Sequence, residues 1–256
     1  MSQSLHHDLL SHHISLSSSH LCLVTSVLGA SGSWYGHSLL AALLKSSSTV
    51  IHLSFLHSAV FHSDAVRKWG VDLGQYGRKG RYVFIDGLSG LFLPDRTKDG
   101  VSMQAGLEKL SQQVKEKVKK VAAAVGSSKV VLVVEGPDVL LSVGGVSSME
   151  VVNELLDWHE LVSSTTVMVN ADAAFVTRTR TRLEMEEASF VTTLAHQAAS
   201  VTSLRMLDTG LAKDVSGVLR VTTSSETANT DWHEKEVLYF VKDGSVEVFN
   251  RGQMRS

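Results

Sequence analysis

Apolar and polar positions along this chain fall into two kinds of block. Short runs that are apolar or β-branched, within Leu21–Val27, Thr49–Phe55, Tyr82–Asp86, Lys129–Val134 and Thr165–Val169, predict strands. Segments whose apolar residues recur every three or four positions predict helices at Trp34–Leu44, Ala59–Trp69, Val101–Val125 and Ser148–Val162. The clearest is the third, where Leu107, Leu110, Val114, Val118, Val121 and Val125 make one stripe and Gly126 ends it. Lys115, Lys117, Lys119 and Lys120 crowd its other side, which reads as a solvated face. In the fourth helix, Val151, Val152, Leu155, Leu156 and His159 mark the inner face, and Ser147 or Ser148 serves as N-cap. Alternating strand and helix predicts a mainly parallel sheet with helices on both faces. Lys129–Val134 is apolar throughout, as suits a strand buried on both sides.

The pattern changes after Asn170. Residues 170–189 read as a long polar stretch, with a helix or turn at Thr193–Ala199. Val201–Leu207, Val218–Thr223 and Val237–Phe249 read as strands, the last folded into a hairpin at Lys242-Asp243-Gly244-Ser245. Gly74, Gly77 and Gly80 read as a turn, residues 87–100 as a loop containing Pro94, and residues 224–234 as a polar loop. The expected fold is α/β, a parallel sheet flanked by helices with a C-terminal antiparallel extension. Residues 20–256 are read as one domain, preceded by a Ser/His-rich segment over residues 1–19. His6, His7, His12, His13 and His20 show no clean i,i+4 pair of the kind that places two histidines on one helical face. Leu5, Leu9, Leu10 and Ile14 give that segment the spacing of a short docking helix instead.

Composition narrows the picture. A net charge of −2 excludes a globally basic nucleic-acid binder but leaves room for a local basic loop. The single cysteine, Cys22, sits in the first predicted strand and reads as a buried small hydrophobe in a reducing compartment. No apolar run reaches the ~18 residues of a membrane span, and the N-terminus lacks the shape of a secretory signal. There is no C-x-x-C, no G-x-S-x-G and no carboxylate pair set by spacing as an acid/base dyad, so no catalytic residue and no metal ligand is assigned.

The most telling stretch is the first strand-loop-helix unit. Its small-residue loop occupies the place of a Walker A sequence, G-x-x-x-x-G-K-[ST]. With Gly36-His37-Ser38 on the last three positions, the first glycine falls on Ser31, beside Gly32, and the lysine falls on His37. The ammonium that would reach the β- and γ-phosphates is missing. Glu135 ends a core strand, where P-loop proteins place a carboxylate that helps hold Mg²⁺. Without the lysine it reads as a strand-end polar residue. Arg178, Arg180 and Arg182 alternate with threonines, and in an extended segment their guanidinium groups would point one way, suited to phosphate contacts.

Three further segments carry a resemblance: Val130–Gly144, a strand running into an L-L-S-V-G turn; Leu194–Gln197 with Gly210–Arg220; and the hairpin Phe240–Phe249. Over residues 20–252 the chain resembles the family of subunit six of the Elongator complex, within the RecA/KaiC-like ATPase superfamily. The resemblance implies a RecA-like fold without a working Walker A, in agreement with Ser31 and His37. It implies a hetero-hexameric ring with Elongator subunits four and five, attached to a catalytic core that modifies wobble uridines of tRNA at carbon 5. It further implies tRNA binding by the ring and no chemistry in this subunit, with no cofactor of its own and ATP or ADP at ring interfaces. Loops after the late core strands face the ring centre in such assemblies, which favours Arg178, Arg180 and Arg182 as tRNA contacts. The expected location is the cytoplasm, with the nucleus as a second compartment. The alternative is an active RecA/KaiC-like ATPase using an irregular loop.

Overall fold

A computed structural model describes residues 20–92, 103–126, 129–143, 145–177, 180–210, 212–224 and 234–252. The segment 1–19, the loop around Pro94, Arg178 and most of the polar loop 224–234 lie outside them. Among the described residues, nine strands form one sheet in the order β3-β2-β4-β5-β1-β6-β7-β8-β9. These are β1 (His20–Ser26), β2 (Thr49–Ser54), β3 (Tyr82–Asp86), β4 (Val130–Glu135), β5 (Ser164–Asn170), β6 (Ser200–Arg205), β7 (Gly217–Thr223), β8 (Glu234–Lys242) and β9 (Ser245–Phe249). The first six pair in parallel, and β7, β8 and β9 add on antiparallel. The fold is α/β with an antiparallel extension, as the alternation of patterns predicts, and it is the RecA-like architecture that the family resemblance implies.

The helices are α1 (Ser33–Lys45), α2 (Ala59–Arg67), α3 (Leu73–Arg78), α4 (Ser89–Phe92), α5 (Met103–Val125), α6 (Val139–Val143), α7 (Ser148–His159), α8 (Ala173–Val176) and α9 (Arg182–Gln197). Side chains of a strand alternate between faces, and this divides the core in two. Ile51, Leu53, Leu132 and Val134 face α5, α7 and α9, packing on Leu107, Val114, Leu155, Trp158 and Phe190. Val50, Val131 and Val133 face the other side, with Tyr35, Leu39 and Leu40 of α1 and Val66 of α2. The stripe read on α5 is the buried face, with Val121 and Val125 at its margin. Lys115 pairs across to Asp157 at 2.9 Å and Glu154 at 3.7 Å, so one of the four lysines ties α5 to α7.

Three expectations fail, the first at residues 87–100, read as a loop, whose described part holds the short helix α4 (Ser89–Phe92). Gly74 and Gly77 lie inside α3 rather than in a turn, because Asp72 caps that helix by accepting from Gln75 N–H and Leu73 is buried. The polar stretch 170–189 holds α8 and the first half of α9. Thr181 and Glu184 form a reciprocal capping box that starts α9 at Arg182. Ser147 and Glu150 do the same for α7, which settles the cap on Ser147. Cys22 is buried, and burial pushes its thiol up to about 11. Among the described residues no helix is long and apolar enough to cross a membrane.

Candidate functional site

Parallel strands deliver their C-terminal ends, and the loops that follow, to one edge of the sheet. At this edge β1 ends at Ser26, β2 at Ser54, β4 at Glu135 and β5 at Asn170. The β1–α1 loop runs from Val27 to Gly32. Asp172 pins it by accepting from Leu28 N–H at 3.1 and 3.2 Å. Ser31 and Gly32 lie in this loop, with Gly32 at the helix N-cap. Gly36, His37 and Ser38 lie a turn inside α1 and are buried. The residues that open the helix after Gly32 are Ser33 and Trp34, so the loop itself supplies no ammonium. His37 points into the protein rather than toward the loop: its Nε2 lies 3.3 Å from Nδ1 of the buried His62.

His62 belongs to a cluster that strand register builds. Ser54 pairs with Glu135 between β2 and β4. His52, Ser54 and Glu135 share the face with Val50, Val131 and Val133, the face covered by α1 and α2. The Ser54 hydroxyl donates to Glu135 Oε2 at 2.5 Å and accepts from His57 N–H at 3.0 Å. His62 Nε2 sits 3.1 Å from Glu135 Oε2, and His57 Nδ1 3.4 Å from Oε1. The His62 contact is an ion-pair distance without hydrogen-bond alignment, so among the described residues this buried nitrogen has no hydrogen-bond partner. His52 Nδ1 meets the Tyr82 hydroxyl at 3.0 Å. Phe61 stacks on the His57 ring at 4.0 Å and covers the cluster from outside.

Electrostatics follow from this packing. Burial opposes charge on Glu135, but His62 and the Ser54 hydroxyl outweigh it and hold the carboxyl down at about 2. Burial, and then the neighbouring His62, press His37 down to about 4 and His52 to about 3, so both rings are neutral near pH 7.

Beside the cluster, under the β1–α1 loop, lies a cavity of about 490 Å³. Ser31, Gly32 and Ser33 line it, together with Glu135, Asp138 and Glu187, and among the described residues its lining includes no lysine or arginine. Burial raises Asp138 to about 6; burial and then the charge of Asp138 raise Glu187 to about 7. A triphosphate entering here meets no ammonium among the described lining residues, and Asp138 and Glu187 add carboxyl groups beside Glu135. Gly136 turns the chain out of β4 at a φ of +67°, a conformation open to glycine.

Of the arginines read as a set, Arg180 is exposed in a turn and Arg182 is the first, exposed residue of α9. Arg182 therefore lies in a helix rather than in the extended segment expected for the three, and Arg178 lies outside the described residues. Arg180 N–H donates to the Glu184 carboxylate at 2.8 Å. The segment joins α8, whose Phe175 lines the cavity, to α9, whose Glu187 also lines it. The histidine cluster is hidden from sequence reading, because its members come from two strands, two helices and a loop, and only Glu135 stands at a position with a known role.

A model of the family described as Elongation complex protein 6 matches residues 7–243. The chain belongs to this family. The Elongator complex protein 6 homolog of Schizosaccharomyces pombe is 25% identical over 235 residues, covering 85% of this chain and 86% of that one. The Elongator complex protein 6 of Danio rerio is 25% identical over 243 residues, covering 89% of each. The solved structure of an uncharacterised protein from Pyrococcus horikoshii, in complex with an unknown peptide, superposes with a TM-score of 0.66 at 13% identity. It covers 96% of this chain and 98% of that one, and it shares the fold.

Proposed function

We propose that this chain is a non-catalytic RecA-like subunit of the Elongator complex. In this reading it forms a hetero-hexameric ring with subunits four and five, and the ring binds tRNA and supports C5 modification of wobble uridine U34 by the catalytic core. Family membership supports the placement in Elongator. The observation that carries the non-catalytic role is the acidic cavity. Glu135, Asp138 and Glu187 line it with no lysine or arginine among the described residues, and the loop above them ends in Gly32-Ser33-Trp34 with no cation of its own. ATP or ADP then belongs to interfaces with neighbouring subunits, against which this protomer is a wall. The tRNA contacts fall to Arg178, Arg180 and Arg182, which lie in sequence after α8 and up to the first turn of α9.

Co-expression with candidate subunits four and five, followed by mass determination, tests the reading. A stable species of hexamer mass containing all three is expected. A monomer that ignores both partners overturns it. Saturable Mg·ATP binding by the isolated chain would favour an active ATPase with an irregular loop.

A further inference from the structure

We propose that His52, His62 and Glu135 form a zinc site that ties β2, α2 and β4 together beside the cavity under the β1–α1 loop. All three residues are buried, and one potential ligand atom from each lies within 4.8 Å of the others. Two imidazoles and a carboxylate are a ligand set that zinc accepts, whereas magnesium and calcium prefer oxygen throughout. Bonds of roughly 2.1 Å in a tetrahedron hold ligand atoms about 3.4 Å apart, so the His62–Glu135 pair at 3.1 Å opens slightly while the wider separations, up to 4.8 Å, close by on the order of 1 Å to grip the ion.

The surroundings fit as well as the ligands. Metal-binding histidines usually engage their second nitrogen with a neighbour that fixes ring orientation. Here the Tyr82 hydroxyl lies 3.0 Å from Nδ1 of His52, and His37 Nε2 lies 3.3 Å from Nδ1 of His62. Each ring therefore keeps Nε2 for the ion. Among the described residues, His62 Nε2 is a buried nitrogen without a hydrogen-bond partner, and it faces the carboxylate. A cation between them satisfies both. Ser54 and His57 hold the two oxygens of Glu135 in place. Glu135 and His57 also line the cavity, which gives the ion a route in.

The test uses the full chain, purified without an affinity tag, stripped with chelator and titrated with Zn²⁺ by calorimetry. Metal content is measured in parallel by mass spectrometry. His6, His7, His12 and His13 offer a competing site, so a variant with these four changed to Ala runs alongside. One tight zinc per chain is expected, kept in the four-His variant, with a rise in melting temperature on binding. His62→Gln and Glu135→Gln are each expected to weaken affinity at least ~100-fold. Tyr82→Phe, which keeps the ring and loses only the hydroxyl, is expected to weaken it about 10–100-fold. Cobalt in place of zinc should give the visible absorption of a tetrahedral site, lost in Glu135→Gln. Circular dichroism of the stripped variants establishes that they fold, and Tyr82→Phe keeps the test decisive should His62→Gln fail to. Absence of stoichiometric binding by the wild type overturns the proposal. So does binding that survives His62→Gln and Glu135→Gln but is lost in the four-His variant.

Discussion

Asp138 and Glu187 face each other across the acidic cavity, and each would rather be neutral there. Asp138 Oδ2 accepts one weak bond from Asn170 N–H at 3.4 Å, and its Oδ1 is buried with no hydrogen-bond partner among the described residues. Burial raises Asp138 to about 6 and, with the Asp138 charge, Glu187 to about 7. Between the ordinary carboxylate range and these values, the folded chain holds protons that the unfolded chain has released. The pair therefore favours folding fully at low pH, and that contribution is lost as pH rises through about 6 to 7. Asp138→Asn keeps an acceptor for Asn170 and removes the charge. Urea denaturation should show it stabilised by on the order of 1 kcal/mol at pH 7.5, with no gain at pH 4. An equal gain at both would show that a cause other than charge burial is at work. The same two residues show what sequence conceals at this scale: nothing in a Pro-Asp or a Glu-Glu pair tells which carboxyl will be buried.

At the scale of elements, legibility follows amphipathicity. The stripe on α5 is uninterrupted and legible to its last residue. The start of α9 is hidden because its inner face is Leu183, Glu187, Phe190, Val191 and Leu194. The spacing is helical, but a glutamate holds a core position, and the alternating Thr-Arg run before it looks extended. What fixes the start is the capping box, in which Thr181 accepts from Glu184 N–H and Glu184 accepts from Thr181 N–H at 2.8 Å. Thr181→Ala leaves donors of the first turn unmet, and the expected cost is about 1 kcal/mol. A urea midpoint shift of that size, with hydrogen exchange accelerated in α9 more than in α5, is the expected outcome. Unchanged protection in α9 would mean that packing of Phe190 and Leu194 alone holds the helix.

The whole molecule brings together what the chain keeps apart. Because β4 inserts between β2 and β5, Ser54 and Glu135 become neighbours, although β3 and the helices α2 to α5 lie between them in sequence. Strand order is not written in hydrophobic periodicity, which is why parallel βα architecture is legible in the chain and the histidine cluster is not. The exposed Arg180 and Arg182 lie in sequence between Phe175 of α8 and Glu187 of α9, both of which line the cavity. A chain of net charge −2 with Glu184, Glu186 and Glu187 beside that segment gives a weak site for RNA by itself. Repeated in a ring, such sites add through avidity. Replacing Arg178, Arg180 and Arg182 with Ala should therefore weaken tRNA binding by the assembled ring about tenfold or more. The dependence of affinity on salt should flatten, by roughly one logarithmic unit for each phosphate no longer neutralised. Ring mass should stay the same, since Arg180 and Arg182 are exposed and take no part in the core. A ring of full mass with undiminished tRNA affinity would remove the three arginines from the RNA path and leave that segment as a protein-facing surface.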